Sequence, residues 1–455
     1  MAVTRSKRGG RAATRLAVLG GGVSGLAAAF YARRAYPDAE VVLLEASERF
    51  GGTVRTAAKD GFVLDLGPDA LLTRKPAGLE LCRSLGLERR LVARSPEGRA
   101  VYMRRNGALR RLPASMRMFV PLGESELRAS GLLSEAGASR VFRGPDTAAT
   151  GRGRLSGRND EDDESIEAFF SRHFGAEMYR YLAEPLTAGI LGGDGCRLEL
   201  NSGVGGIAHG GRAQSANTGS GAATAGRPRW RVQCAGGGSV EADAVICALP
   251  AYAASQVISS IDSGLAELLA ATTYSRAAAV FVALPTEAVG AGLAGSGYLV
   301  PRGEGGLVTA CTWSSRKWPG RAPQGYELLR VFMAPAVAAG GDISADGAGR
   351  SDSGALDGLS DRQLVETALA ELRQALGAHG EPRLAEVWRW DYGVANYSLG
   401  HLERRAEIER RLQEQPGLVL AGSALYGVGI PDCIRSAREA VDRLAGAAAG
   451  AGTAI

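Results

Sequence analysis

A chain of 455 residues with 45% hydrophobic and 22% charged residues is globular and long enough for two or three domains. Its formal charge of only +5 is spread along the chain, which argues against a nucleic-acid partner. Six cysteines without C-x-x-C spacing and four scattered histidines argue against a disulfide framework or a metal centre, and for a reducing compartment.

The N-terminal "MAVTRSKRGGRAATR" is basic and has no apolar core, so residues 1–14 read as a disordered tail rather than a secretory signal. No run of about 20 apolar residues is available to span a bilayer. The expected setting is cytoplasmic, with any membrane association peripheral.

Leu16–Leu19 reads as a buried strand, followed by Gly20, Gly21, Gly22, Val23, Ser24 and Gly25, in which Gly20, Gly22 and Gly25 fit G-x-G-x-x-G. The first glycine allows a tight turn, the second lets backbone approach a pyrophosphate, and the third lets helix and strand pack closely. A helix starting near Val23 would aim its free N–H groups at the phosphates. The next strand, "AEVVLLEA", ends at Glu45 and Ala46. Glu45 lies twenty residues past Gly25, where a carboxylate should accept from a ribose hydroxyl. To this point NAD and FAD fit equally.

"ERFGGTVRT" then brings Arg49, Gly51, Gly52, Thr53 and Arg55, and "FVLDLGPDALL" brings Gly67, Pro68 and Asp69. A second glycine pair just after the acidic strand end suits FAD, which lies extended along the chain. Here the sequence resembles the two-domain flavin oxidases: amine oxidases, carotene desaturases and protoporphyrinogen oxidases. In those families the Gly67–Pro68 segment runs along the isoalloxazine.

The C-terminal part carries Trp390, Tyr397, Gly400 and His401, a strand over Leu418–Ala421, and then Gly422, Ser423, Gly427, Val428, Gly429, Ile430, Asp432, Cys433 and Ile434. This pattern closely resembles protoporphyrinogen oxidases and coproporphyrinogen III oxidases. Pro431 and Asp432 suit the first turn of a last helix, whose N-terminus would face the flavin and favour its anionic reduced form. Cys433 reads as a small packed residue and His401 as a structural one.

The resemblance extends to the segments between. "RAVYMRRNGALRRLP" resembles a lip on which an arginine, here Arg99, pairs with a substrate propionate; an ordinary solvated arginine fits as well. "DESIEAFFSRHFG" and "YLAEPLTAGILGGD" place Gly189 where a backbone carbonyl accepts pyrrole N–H groups in relatives. "EADAVICALPAYAA" resembles the return strand of the FAD domain. "GSGYLVP" places Leu299, and "SSRKWPGRAP" places Trp318, at the walls that sandwich the macrocycle, although both also suit a plain core.

The implied fold is α/β: a Rossmann-type FAD-binding domain, a discontinuous α+β substrate domain and a reduced helical domain on the membrane side. The expected division is residues 15–80, 235–260 and 385–455 for FAD, 81–118 and 261–384 for substrate, and 119–200 for the helical part. Residues 138–160, 201–228 and 339–359 are expected as low-complexity loops. In particular, "GVGGIAHGGRAQSANTGSGAATAGRP" stands where relatives have a long helical stretch and a strand supporting the adenine. Asp391, Ala395 and Asn396 likewise stand where proline, proline and glutamine are usual.

The implied reaction is oxygen-dependent, FAD-mediated, six-electron oxidation of a porphyrinogen, protoporphyrinogen IX or coproporphyrinogen III, releasing H2O2. It needs orientation and water exclusion rather than a strong acid or base, and no catalytic side chain is singled out. The resemblance also carries peripheral membrane contact and homodimerisation. The competing readings are another flavin oxidase, of the amine oxidase or carotenoid desaturase type, or a non-catalytic FAD-binding remnant.

Overall fold

The computed structural model describes residues 14–117, 119–143, 165–191, 204–209, 230–289, 294–334, 356 and 358–450. The chain opens with β1 (Arg15–Leu19), α1 (Val23–Ala35) and β2 (Glu40–Leu44). A hairpin of β3 (Thr56–Lys59) and β4 (Phe62–Asp65) follows, then α2 (Pro76–Ser84), whose proline sits in the first turn. The hairpin β5 (Val101–Arg105) and β6 (Ala108–Arg111) leads to the helices α3 (Glu124–Ser130), α4 (Glu135–Phe142), α5 (Ile166–Phe174) and α6 (Glu184–Leu191). Next come β7 (Val204–His209), β8 (Trp230–Cys234), β9 (Ser239–Ala242) and β10 (Ala244–Cys247), then α7 (Ala251–Ile258) and α8 (Ser263–Ala270). Four strands follow: β11 (Ala277–Pro285), β12 (Gly297–Leu299), β13 (Val308–Trp313) and β14 (Tyr326–Met333). The chain ends with α9 (Asp361–Leu376), β15 (Leu384–Trp390), α10 (His401–Gln413), β16 (Leu418–Leu420) and α11 (Ile430–Gly450).

Strands from three distant parts of the chain make one parallel sheet in the order β16–β10–β1–β2. A parallel sheet is covered on both faces, so its strands are continuous apolar runs. Leu16, Ala17, Val18 and Leu19 are accordingly fully buried. On one face α1 and α11 meet through Ala27, Ala28, Ala32, Ala437 and Ala440, whose small side chains let the helices lie close. The other face is covered by α7, α8 and α10, through Val257, Leu265, Leu269 and Ile408.

A second sheet of seven strands runs β15–β11–β14–β13–β12–β5–β6, antiparallel except for the β12–β5 pair. Its two faces read alternately along β14. Leu329 and Val331 pack on α9 through Leu364, Ala368 and Leu372, whereas Leu328 packs on the hairpin through Phe62 and Leu64. The helical layer joins at Met103, Leu127, Leu132, Phe170 and Leu182.

Several expected boundaries move. Residues 385–390 belong to β15, which pairs antiparallel with β11 and so sits in the second sheet rather than in the nucleotide-binding part. Beyond residue 260, α8 packs under the parallel sheet, because Leu265 and Leu269 join the cluster around Trp230 and Val257. The stretch expected as a loop over 201–228 contains β7, in which Gly206–His209 pair with Trp230–Gln233. Backbone pairing needs no large side chain, so a Gly/Ala-rich segment can complete a sheet that others supply with a core. Residues 138–142 of the first expected loop are helical in α4, whose Ser134 hydroxyl accepts from the Gly137 N–H at 3.0 Å. Residues 144–160 of that loop, and most of 339–359, lie outside the described residues. Among the described residues no helix is long and apolar enough to cross a membrane.

Candidate active site

The turn from β1 into α1 is shaped by three glycines with different duties. Gly20 has φ +96°, and Gly25 lies so close to it that a Cβ there would fall 1.7 Å from the Gly20 carbonyl oxygen. Gly22 caps α1 with extended backbone and no side-chain cap, and the first turn contains no acidic residue. The N–H groups of Val23, Ser24 and Gly25 therefore have neither helical nor capping side-chain partners, as an anion site requires. Across from them the Gly51 N–H donates to the Gly21 carbonyl at 2.8 Å. A Cβ on Gly22 would meet only Gly52 Cα at 4.0 Å. Two glycine backbones thus face each other over a groove that any side chain would fill.

Glu45 closes this groove. Its carboxylate accepts from the Gly21 N–H at 2.5 Å, from the Ser47 N–H at 2.8 Å and from the Ser47 hydroxyl at 2.6 Å. Burial pushes its pKa up, but the bonds from Ser47, Gly21 and the Ala46 backbone outweigh this and hold it below the ordinary value. Glu45 is therefore an ionised, acceptor-only group at neutral pH, suited to a diol. Arg49, expected as a cofactor contact, is engaged by the loop itself: it donates to the carbonyls of Phe50 at 2.9 Å, Val54 at 3.4 Å, and Gly52.

Gly67 is pressed against the same loop, since a Cβ there would lie 1.9 Å from the Thr53 carbonyl oxygen. Pro68 is exposed. Asp69 accepts from Lys317 Nζ at 2.6 Å and from Trp318 Nε1 at 3.2 Å. Burial raises its pKa, and the Lys317 charge and these bonds more than reverse that, leaving it lowered. The Gly67–Asp69 turn and Trp318 are thus brought together across 249 residues of sequence.

The third element is the return loop after β16. The Gly422 N–H donates to Ser436 Oγ at 3.0 Å, and a Cβ on Gly422 would sit 3.4 Å from Ser24 Oγ, so this loop meets the start of α1. Tyr397 ties the loop shut: its hydroxyl donates to the Ser423 carbonyl at 2.6 Å and accepts from the Gly427 N–H at 2.7 Å. Its ring stacks on His401, with centroids 3.9 Å apart. Gly427 (φ +109°) and Gly429 both fold over Asp432, where a Cβ would lie 2.7 and 2.9 Å from that side chain. Val428 and Ile430, between and after them, are half-buried. Cys433 is buried, which pushes its thiol pKa up; this fits a packed residue rather than a nucleophile. Tyr397→Phe removes both hydroxyl bonds, and the expected cost is about 1–2 kcal/mol, read as a lower Tm. An unchanged Tm would show that the loop is held by other contacts.

Beside Asp432 lies a cleft of about 300 Å³ lined by Arg74, Lys75, Arg435 and Arg438 with Pro431 and Ala77. It opens where the N-termini of α2 and α11 converge, and Lys75 pairs with Asp432 at 2.5 Å. Two of its arginines are paired as well, Arg435 with Glu439 at 2.8 Å and Arg438 with Glu80 at 3.0 Å.

The expected substrate contacts fall into two neighbourhoods. Arg99 is exposed on the turn Glu97–Arg99; its neighbour Gly98 packs on the backbone of Arg316 and Lys317, the residues that precede Trp318. Leu299 lies on β12 and packs against the helical layer. Gly189 lies in α6, a helix that touches β12 and β13. Sequence reasoning missed Lys317, Ser436, the cleft arginines and Arg330. The available signal was a pair of charged residues, Glu327 and Arg330, inside the otherwise apolar strand "YELLRVFM".

A Gly-lined groove, an ionised acceptor at its end and an uncapped helix N-terminus above it fit an extended dinucleotide with a pyrophosphate. The sequence profile of flavin containing amine oxidoreductases matches residues 23–209 and 223–445. A coproporphyrinogen III oxidase of Bacillus subtilis (strain 168) is 28% identical over 479 aligned positions, covering 93% of this chain and 96% of that protein. One from Propionibacterium freudenreichii subsp. freudenreichii is 29% identical, covering 95% and 91%. Both alignments are longer than this 455-residue chain, so each relative has residues at positions where this chain has none. The crystal structure of a protein from Exiguobacterium sp. 255-15, assigned as a protoporphyrinogen oxidase, superposes with TM-score 0.75 at 26% identity and covers 96% of this chain and 99% of that one.

Proposed function

Since the chain belongs to the flavin containing amine oxidoreductases, we propose that it is an FAD-dependent porphyrinogen oxidase whose preferred substrate is coproporphyrinogen III. The observation that carries this reading is the end-to-end match to coproporphyrinogen III oxidases, over more than nine-tenths of both chains.

Bound FAD supplies two-electron oxidation and passes the electrons to O2. Six hydrogens leave the porphyrinogen in three rounds, and three O2 become three H2O2. The protein's own share is holding and shielding. Gly20–Gly25 and Gly51–Gly52 would seat the pyrophosphate, Glu45 the ribose, and the Gly67–Asp69 and Gly422–Ile430 loops the ring. Trp318, pinned by Asp69, would form an apolar wall against the macrocycle, with Arg99 at the rim and Gly189 and Leu299 toward the helical layer. Contact with a membrane surface and pairing of two copies are part of the same reading.

Purified protein supplied with each porphyrinogen in air is expected to generate porphyrin fluorescence and H2O2 in step, with the higher kcat/KM for coproporphyrinogen III. Equal or reversed preference would overturn the substrate assignment. Bound FAD with porphyrin forming no faster than in the protein-free control would identify a non-catalytic flavoprotein.

A further inference from the structure

Arg330 lies in the middle of β14, in register with Phe281 on β11 and Thr312 on β13. It points to the hairpin face, where its neighbours are Leu328, Phe281, Phe62 and Leu64, and it is only 5% exposed. A buried guanidinium costs several kcal/mol of desolvation, and an apolar residue of similar size would pack there at no such cost. Stability therefore does not explain it.

Its contacts all lead to the turn that faces the cofactor groove. Nη1 donates to the Gly67 carbonyl at 3.0 Å, and Trp390 Nε1 donates to the preceding carbonyl, Leu66, at 3.1 Å. The guanidinium lies 4.4 Å from the Phe332 ring centroid and 5.3 Å from those of Trp390 and Phe281, which fixes its plane. On its other side Gly67 abuts the Thr53 carbonyl. Two nearby carboxylates are already engaged: Asp65 accepts from Arg321 at 2.8 Å, and Asp69 from Lys317 at 2.6 Å. Three cations thus surround two carboxylates, and the surplus positive charge sits in the layer least accessible to water. Burial lowers the Arg330 pKa to about 10, so it stays charged at neutral pH.

We propose that Arg330 is a positioning residue for the flavin: it locks the Gly67–Asp69 turn through the Gly67 carbonyl, and its charge, the third cation against the two carboxylates Asp65 and Asp69, favours the anionic reduced form of FAD. This rests on Gly67–Pro68 lying along the flavin ring, and it is independent of which substrate is oxidised.

Two variants separate the bond from the charge. Arg330→Gln is neutral and two bonds shorter, and keeps an amide donor that meets the Gly67 carbonyl through a bridging water; Arg330→Met has neither charge nor donor. FAD dissociation constants and the midpoint potential of the bound flavin are measured for both, with the Tm of each apoprotein as the folding control. Arg330→Gln is expected to bind FAD within about threefold of wild type and to show a more negative midpoint potential. Arg330→Met is expected to shift the potential the same way and to bind FAD at least tenfold more weakly. A wild-type potential in Arg330→Gln overturns the role of the charge, whether or not the methionine variant folds. Wild-type FAD affinity in a folded Arg330→Met, or a tenfold loss in Arg330→Gln, overturns the role of the Gly67 bond.

Discussion

Gly25→Ala is expected to prevent folding of the nucleotide-binding half, whereas Gly22→Val is expected to fold and fail to hold FAD. Both glycines belong to one motif, yet they do different work. A Cβ on Gly25 would lie 1.7 Å from the Gly20 carbonyl oxygen and 2.9 Å from its carbon, both backbone atoms of a turn that cannot retreat. Relief requires α1 to lift off β1, which would expose Ala27, Ala28 and Leu16. Gly22 has φ −69° and ψ −178°, extended backbone that a β-branched residue adopts readily, and its nearest obstacle is Gly52 Cα at 4.0 Å. A valine there costs the apoprotein little but fills the groove over which the uncapped helix N-terminus opens. A loss of at least about a hundredfold in FAD affinity, roughly 2.7 kcal/mol, is expected. Circular dichroism and flavin absorbance per protein read both variants. Full flavin occupancy in Gly22→Val would remove the pyrophosphate from this groove. A Gly25→Ala protein with wild-type Tm would show that the helix and strand are not held at contact.

The parts of the site legible in the sequence are those built from local backbone. β1, the glycine turn, α1 and Glu45 fall within about thirty consecutive residues, and their spacing is set by one strand–helix–strand unit. The return loop was readable for the same reason: Gly422, Gly427 and Gly429 adopt or adjoin backbone that only glycine allows, and Asp432 follows in the first helical turn. What stayed hidden depends on register between distant strands. Arg330 reads as one of two charges in "YELLRVFM" until β14 is paired with β11 and its alternate residues are seen to face the hairpin. Tyr397 belonged to a motif, but its work, bridging Ser423 and Gly427, needs the loop some thirty residues away. The boundary at 385 failed because "LAEVWRW" is an alternating strand that fits a sheet with two different faces. β7 escaped notice because its segment lies inside a Gly/Ala/Ser-rich stretch with no strand pattern of its own.

Asp69→Asn is expected to lower stability by about 2–3 kcal/mol at neutral pH, less than for a fully buried pair because Asp69 and Lys317 each keep about a fifth of their side-chain surface exposed. The asparagine carbonyl can still accept from Trp318, so the loss comes from leaving Lys317 and Arg330 without their countercharge. The pH dependence fixes the cause. The folded protein holds the Asp69 carboxyl below its ordinary value of 3.8, so its contribution is present in full above that pH and disappears as pH falls through the lowered value. The Tm gap between wild type and Asp69→Asn should therefore be wide at pH 7 and close on acidification below about pH 4. A gap of constant width would mean that the variant suffers from lost packing instead. Removing the partner as well gives a second test. With Lys317→Met no lone lysine is left in the site, so the double variant should be more stable than the sum of the single losses predicts, by about 1–2 kcal/mol. Additive losses would deny the ion pair any part in holding Trp318 against the turn. Because that indole would be one wall of the macrocycle site, a coupled pair also predicts that both single variants raise KM for the porphyrinogen more than they lower FAD content.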